Sequence, residues 1–134
     1  MSQAVGLDRA VEYVEKLEKF RTAFEAADLG CQQHGDTVRI ETGRKFDRVF
    51  IKTASQNLGR YFVDRNSWVI YGIKSWHQVN ERRVYGTLDT VEQWDWSPYY
   101  AVPKPGTEAE RLHTAREAEI AKNFKPRGRP KKNP

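Results

Sequence analysis

Arg60-Tyr61-Phe62-Val63-Asp64-Arg65-Asn66-Ser67-Trp68-Val69-Ile70-Tyr71 sets two aromatic and β-branched runs on either side of four polar residues. Val, Ile, Tyr, Phe and Trp suit the half-buried surface of a sheet. Asp, Asn and Ser bond to their own backbone and favour turns. The segment therefore predicts a hairpin, residues 60–63 paired with 68–71 around a turn at 64–67.

The same texture extends to both sides. Thr37-Val38-Arg39-Ile40-Glu41 alternates apolar and polar, Thr42-Gly43 marks a turn, and residues 45–53 form a further strand. That strand places Val49 and Ile51 on one face and Phe46 and Phe50 on the other. Asn57-Leu58-Gly59 reads as a break, and residues 83–88 as the last strand. Glycine beside an aromatic in Tyr71-Gly72 and Tyr85-Gly86 indicates a bulge, or an aromatic ring lying over a neighbouring glycine. Ahead of the strands, Ala10, Tyr13, Leu17, Phe20, Phe24 and Ala27 recur at helical spacing, with Val14 beside them. They predict an amphipathic helix over residues 7–29, capped by Asp8 and stopped at Gly30. The expected fold is α+β: an antiparallel β-meander of four to five strands packed on this helix.

Beyond the strands, Asp89-Thr90-Val91-Glu92 has capping-box spacing and predicts a helical turn. Trp94 to Tyr100 is dense in aromatics and reads as a flap over the core. Its functional alternative is a partner-binding patch, where Trp and Tyr are over-represented. The residues assigned to such a partner are Trp76, Arg82, Arg83, Trp94, Trp96 and Tyr99. Pro103, Pro105 and Gly106 make a linker, and Thr107-Glu108-Ala109-Glu110 opens a helix reaching about residue 123. Its apolar stripe is thin: Ala109, Leu112, Ile120 and Phe124. The expected organisation is a globular body at 1–103, a linker and helix at 104–124, and a disordered tail at 125–134.

Charge follows the same division. The chain carries 23 Lys and Arg against 18 Asp and Glu. Met1 to Pro103 is neutral, with 14 of each sign, so the whole excess of +5 belongs to Lys104 to Pro134. A neutral body with a basic arm suits nucleic acid or another anionic surface. Lys125, Pro126, Arg127, Gly128, Arg129, Pro130, Lys131 and Lys132 form the arm's end. Proline holds each flank extended, and glycine lets the backbone press against a groove floor. A·T tracts narrow the minor groove and deepen its negative potential, which draws in arginine. The Pro-Arg-Gly-Arg-Pro core at 126–130 resembles the AT-hook of chromatin and nucleoid proteins. That resemblance implies a partner, A·T-rich double-stranded DNA, with Arg127 and Arg129 in the minor groove and the lysines on phosphates.

A second likeness covers residues 61–100. Tyr71-Gly72-Ile73-Lys74-Ser75-Trp76, then Asn80 and Arg83, then Tyr85-Gly86-Thr87-Leu88-Asp89-Thr90 resemble small proteins of actinobacterial phages. It implies a phage source and supplies no mechanism. Lys52, Lys74, Arg82 and Arg83, with Tyr61 and Trp76, are expected to line a solvent face able to stack single-stranded nucleic acid; the alternative is an ordinary solvated face.

Other chemistries lack their residues. Cys31 is the single cysteine, which leaves no disulfide and no cysteine zinc site. His34, His77 and His113 have no ligand spacing, and Asp89, Glu92 and Asp95 read as cap and turn residues. Neither a phosphate-cradling glycine loop nor a catalytic constellation is present. The expectation is a non-enzymatic protein without cofactor or metal. No apolar run approaches transmembrane length and no signal pattern opens the chain, so the expected location is the cytoplasm. A short hook binds weakly alone, which favours a homo-oligomer or a second contact from the body. The alternative function is a module that grips a host protein of transcription or replication.

Overall fold

The computed structural model describes residues 2–123, with side chains described from Asp8 onward. It is α+β: an N-terminal helix, a five-stranded antiparallel sheet and a C-terminal helix. Helices α1 (Ser2–Ala27) and α2 (Leu29–His34) precede strands β1 (Thr37–Glu41), β2 (Phe46–Lys52), β3 (Asn57–Asp64), β4 (Val69–Ser75) and β5 (Gln78–Thr87). The strands pair in sequence order, as a meander. A 3-10 helix (Leu88–Gln93), the short strands β6 (Trp94–Asp95) and β7 (Val102–Pro103), and helix α3 (Glu108–Asn123) follow.

The central hairpin forms where the sequence puts it, with Phe62 opposite Tyr71 and Val63 opposite Ile70. Asp64 builds the turn: its carboxylate accepts from the amides of Asn66 (2.7 Å) and Ser67 (2.9 Å), and its carbonyl from Trp68 N (2.8 Å). Trp68 sits at φ 68°, a left-handed backbone unusual for a bulky residue. Packing holds it there, with Tyr13 at 5.9 Å and the Arg9 guanidinium over its ring at 4.4 Å.

Two expectations are corrected in the sheet. Asn57-Leu58-Gly59 is no break, for it pairs with Lys52, Ile51 and Phe50 and begins β3. Ile73 crosses Gly59 closely; a Cβ on Gly59 would lie 2.6 Å from Ile73 Cδ1, so that methyl would have to shift. The last strand starts at Gln78, well before residue 83, because β4 and β5 turn at Trp76-His77 and pair from there.

The inner face of the sheet meets α1. Tyr13, Leu17, Phe20 and Phe24 are buried against Val38, Val49, Ile51, Tyr61, Val63 and Ile70. Tyr61 is the hub: its ring meets Phe24 (5.2 Å), Tyr85 (5.1 Å), Trp96 (5.4 Å) and Phe20 (5.6 Å), mostly edge to face. Such pairs each add about 0.5–1.5 kcal/mol beyond the area they bury. Val14, beside the stripe, stays exposed, and so does Ala10, which the spacing had put in the stripe. Lys16 and Lys19 cross to Asp89 and Glu92, tying α1 to the 3-10 helix.

The helix ends also differ from expectation. Asp8 lies inside α1 rather than capping it. Asp28, with ψ 128°, leaves the helix and caps α2 by accepting from Cys31 N at 3.1 Å. Gly30 is therefore interior to α2, and Gly35, at φ 74°, makes the stop. Thr87 rather than Asp89 caps the 3-10 helix, in a capping box with Thr90. Before α3, the Thr107 hydroxyl accepts from Glu110 N (3.2 Å), and the Glu110 carboxylate accepts from Gly106 N (2.9 Å).

Burial, with Asp28 adding to it, pushes the Cys31 thiol up to about 12. At pH 8 almost none of it is thiolate, and the thiolate is the nucleophile. Alkylation of the folded protein by iodoacetamide is expected to be roughly a hundredfold slower than that of a free cysteine, followed by intact mass. A rate matching the urea-unfolded chain would contradict this.

Candidate functional site

Strand irregularities build the most distinctive polar feature. Between β2 and β3, Val49 pairs with Tyr61 and Phe50 with Gly59, which leaves Arg60 as an extra residue. Between β4 and β5, Tyr71 pairs with Val84 and Gly72 with Asn80, which loops residues 81–83 out of register. Bulges re-aim side chains and gather next to functional sites. Here both send an arginine to one place. Arg60 and Arg83 line a cleft of about 90 Å³ together with Gly59, Asn80, Tyr99 and Tyr100.

Each guanidinium lies over one tyrosine: Arg60 over Tyr99 at 4.8 Å, Arg83 over Tyr100 at 4.0 Å. The two tyrosine rings meet at 4.7 Å. Arg60 also covers Phe24 (5.2 Å) and donates through Nη2 to the Tyr99 carbonyl (3.0 Å). Asp28 stands behind Arg60 at 3.6 Å, too long for a strong hydrogen bond. Gly72 positions the other arginine: a Cβ there would come within 2.9 Å of Arg83 Cβ, so only glycine lets that stem lie flat across β4. Burial raises the pKa of the Tyr61 and Tyr85 hydroxyls, which keeps both neutral. The lining therefore holds two cations and no carboxylate. Arg83 is the exposed cation of the pair, while Arg60 is largely buried and ion-paired to Asp28.

The residues picked from sequence divide three ways. Arg83 and Tyr99 come together in this cleft, and Tyr99 is 67 % exposed. Trp94 and Trp96, expected to meet a partner, are each 3 % exposed and belong to the core. Their rings stack at 5.9 Å under the start of α3, and the Trp96 indole donates to Val91 O at 3.0 Å. The flap reading holds for them, and they offer no surface.

Tyr61 likewise faces the core, which removes it from the expected stacking face. Trp76 is half-buried on the outer sheet face, against Phe50 at 5.4 Å and under the Arg48 guanidinium at 4.3 Å. Arg48, also paired with Glu41, locks it there. Arg82, Lys52 and Lys74 are exposed. Arg60 and Asn80 were missed, and Tyr100 was picked out only as the end of the Trp94 to Tyr100 cluster; nothing in the sequence marks Arg60 except its place beside Gly59. Lys125, Pro126, Arg127, Gly128, Arg129, Pro130, Lys131 and Lys132 lie outside the described residues, as does Phe124.

Compared with protein families, curated proteins and solved structures, the chain shows no match. Among the described residues, no three His, Cys, Asp or Glu side chains gather as a metal site. No described helix is long and apolar enough to cross a membrane.

Proposed function

We propose that the protein is a non-enzymatic, phage-encoded DNA-binding protein that modulates a nucleoid or its transcription from the host cytoplasm. Its Pro-Arg-Gly-Arg-Pro core enters the minor groove of A·T-rich duplex, and the Arg60–Arg83 cleft takes a backbone phosphate. The observation that carries this reading is the charge division: a neutral body and an arm holding the whole excess of +5. The cleft supports it as a place where the body supplies a second contact. A lone tail of this size binds at roughly 10⁻⁴ to 10⁻⁶ M, the range of sequence-independent electrostatic binding. A second contact, from the cleft or from self-association, raises that by effective concentration.

Fluorescence anisotropy with A·T-rich and G·C-rich duplexes over a salt series tests the proposal. Tighter binding to the A·T duplex is expected, with a log–log salt slope near −4 to −5 for about five neutralised phosphates. Arg83→Ala should shallow that slope by about one and leave the A·T preference alone. Equal affinity for the two duplexes would sink the hook, and an unchanged slope would remove the cleft.

The competing reading, a module for a host protein, draws on the exposed Tyr99 and Tyr100, since the tryptophans are buried. It gains if the chain captures a host transcription or replication protein and that capture is lost with Tyr99→Ala.

A further inference from the structure

Two buried polar atoms without a hydrogen-bond partner among the described residues, Nε1 of Trp94 and Nδ1 of His113, belong to side chains that line the same cavity. Buried donors and acceptors are almost always satisfied in folded proteins, so a pair left open on one cavity asks for an explanation. The cavity lies between β5 and α3 and holds about 170 Å³. Val84, Ala109, Leu112 and the Trp94 ring make it apolar. The Trp94 and His113 rings meet edge to face, with centroids 5.5 Å apart.

The nearby hydroxyls are already engaged. Thr90 Oγ1 accepts from Thr87 N (3.1 Å) and donates to Thr87 O (3.2 Å), while Thr87 Oγ1 accepts from Asp89 N (3.2 Å). Gly86 keeps the space beside the indole open; a Cβ there would sit 2.9 Å from Trp94 Nε1. At the rim, Glu108 is paired with Arg111, and Arg116 donates to Glu81 O at 3.0 Å.

We propose that this cavity binds a neutral single-ring aromatic molecule carrying a hydroxyl or a ring nitrogen. The heteroatom accepts the Trp94 N–H and meets Nδ1 of His113, and the ring fills the apolar space. Volume sets the size, since an apolar cavity of about 150 Å³ accommodates benzene. The open nitrogens set the polar group, and the apolar lining disfavours a charged ligand. Water entering through the mouth could meet the nitrogens but would find no partner along the apolar walls, which a ring covers better. This site is independent of the tail and of the arginine cleft.

Phenol titrated into the ¹⁵N-labelled full chain, followed by NMR, tests it. The Trp94 indole N–H resonance is expected to shift saturably, and more than those of Trp68, Trp76 and Trp96. Benzene, which lacks the heteroatom, should bind about tenfold more weakly, the effect of one unmade hydrogen bond. Leu112→Trp blocks the mouth from a position that is 52 % exposed. It should abolish the phenol shift while the rest of the spectrum stays dispersed. An unmoved Trp94 N–H at saturating phenol, equal affinity for benzene and phenol, or undiminished binding by the folded Leu112→Trp variant would each overturn the proposal.

Discussion

Replacing Asp47 with alanine is expected to destabilise the protein by about 3 kcal/mol, at the lower end of the cost of breaking a buried ion pair. Asp47 sits on the inner face of β2 and is only 1 % exposed. Its Oδ2 accepts from the Tyr13 hydroxyl at 2.8 Å, and its Oδ1 from Gly43 N at 3.1 Å and from Arg65 at 2.7 Å. One carboxylate thus joins α1, the β1–β2 turn and the central hairpin turn. Alanine would leave the Tyr13 hydroxyl buried without an acceptor. That hydroxyl cannot escape by ionising, because burial, the largest cause of its raised pKa, remains. Arg65 is 39 % exposed in its side chain and can turn to water, which keeps the expected loss at the lower end. Asparagine preserves an acceptor for Tyr13 and should lose about half as much. Urea unfolding followed by tryptophan fluorescence measures both. A loss under about 1 kcal/mol for alanine, the size of a surface pair, would show that this junction does not hold the fold.

Replacing Arg127 and Arg129 together with alanine is expected to remove the A·T preference and weaken duplex binding at least tenfold, about 1.4 kcal/mol. Lysine at both positions is the sharper variant. It keeps both charges, so the salt slope should stay near that of the parent, yet it lacks the planar guanidinium that fits a narrow groove. Loss of base preference with an unchanged slope is therefore the expected signature. Retention of affinity and preference by the double alanine variant would mean that these arginines do not read the groove, and attention would move to the body.

How far the sequence reached depends on how local the governing forces are. The hairpin at 60–71 and the α1 stripe were legible because periodicity and turn chemistry act between near neighbours. Phe46 and Phe50 fell on the opposite face from Val49 and Ile51 for the same reason. Glycine and asparagine misled at Asn57-Leu58-Gly59, where cross-strand pairing with β2 and the approach of Ile73 outweighed local turn preference. Asp28 misled in the other direction: the penultimate residue of the expected helix lies outside α1 and caps a further short helix. Among the expected partner-binding residues, Trp94 and Trp96 went wrong because aromatic content does not say which side of a sheet will cover it.

Taken alone, the order of residues determined the α+β layering, most of the inward stripe of α1, the opposite faces of Val49 and Ile51 against Phe46 and Phe50, and the confinement of net charge to the arm. These follow from spacing and composition, which need no knowledge of distant contacts. Only the tertiary structure decided that Arg60 and Arg83 share a cleft, that Asp47 joins three elements, and that Trp94 and His113 face one cavity. Each of those depends on a bulge or a packing contact between residues far apart in the chain. Spacing along the sequence carries no record of where such a residue will land.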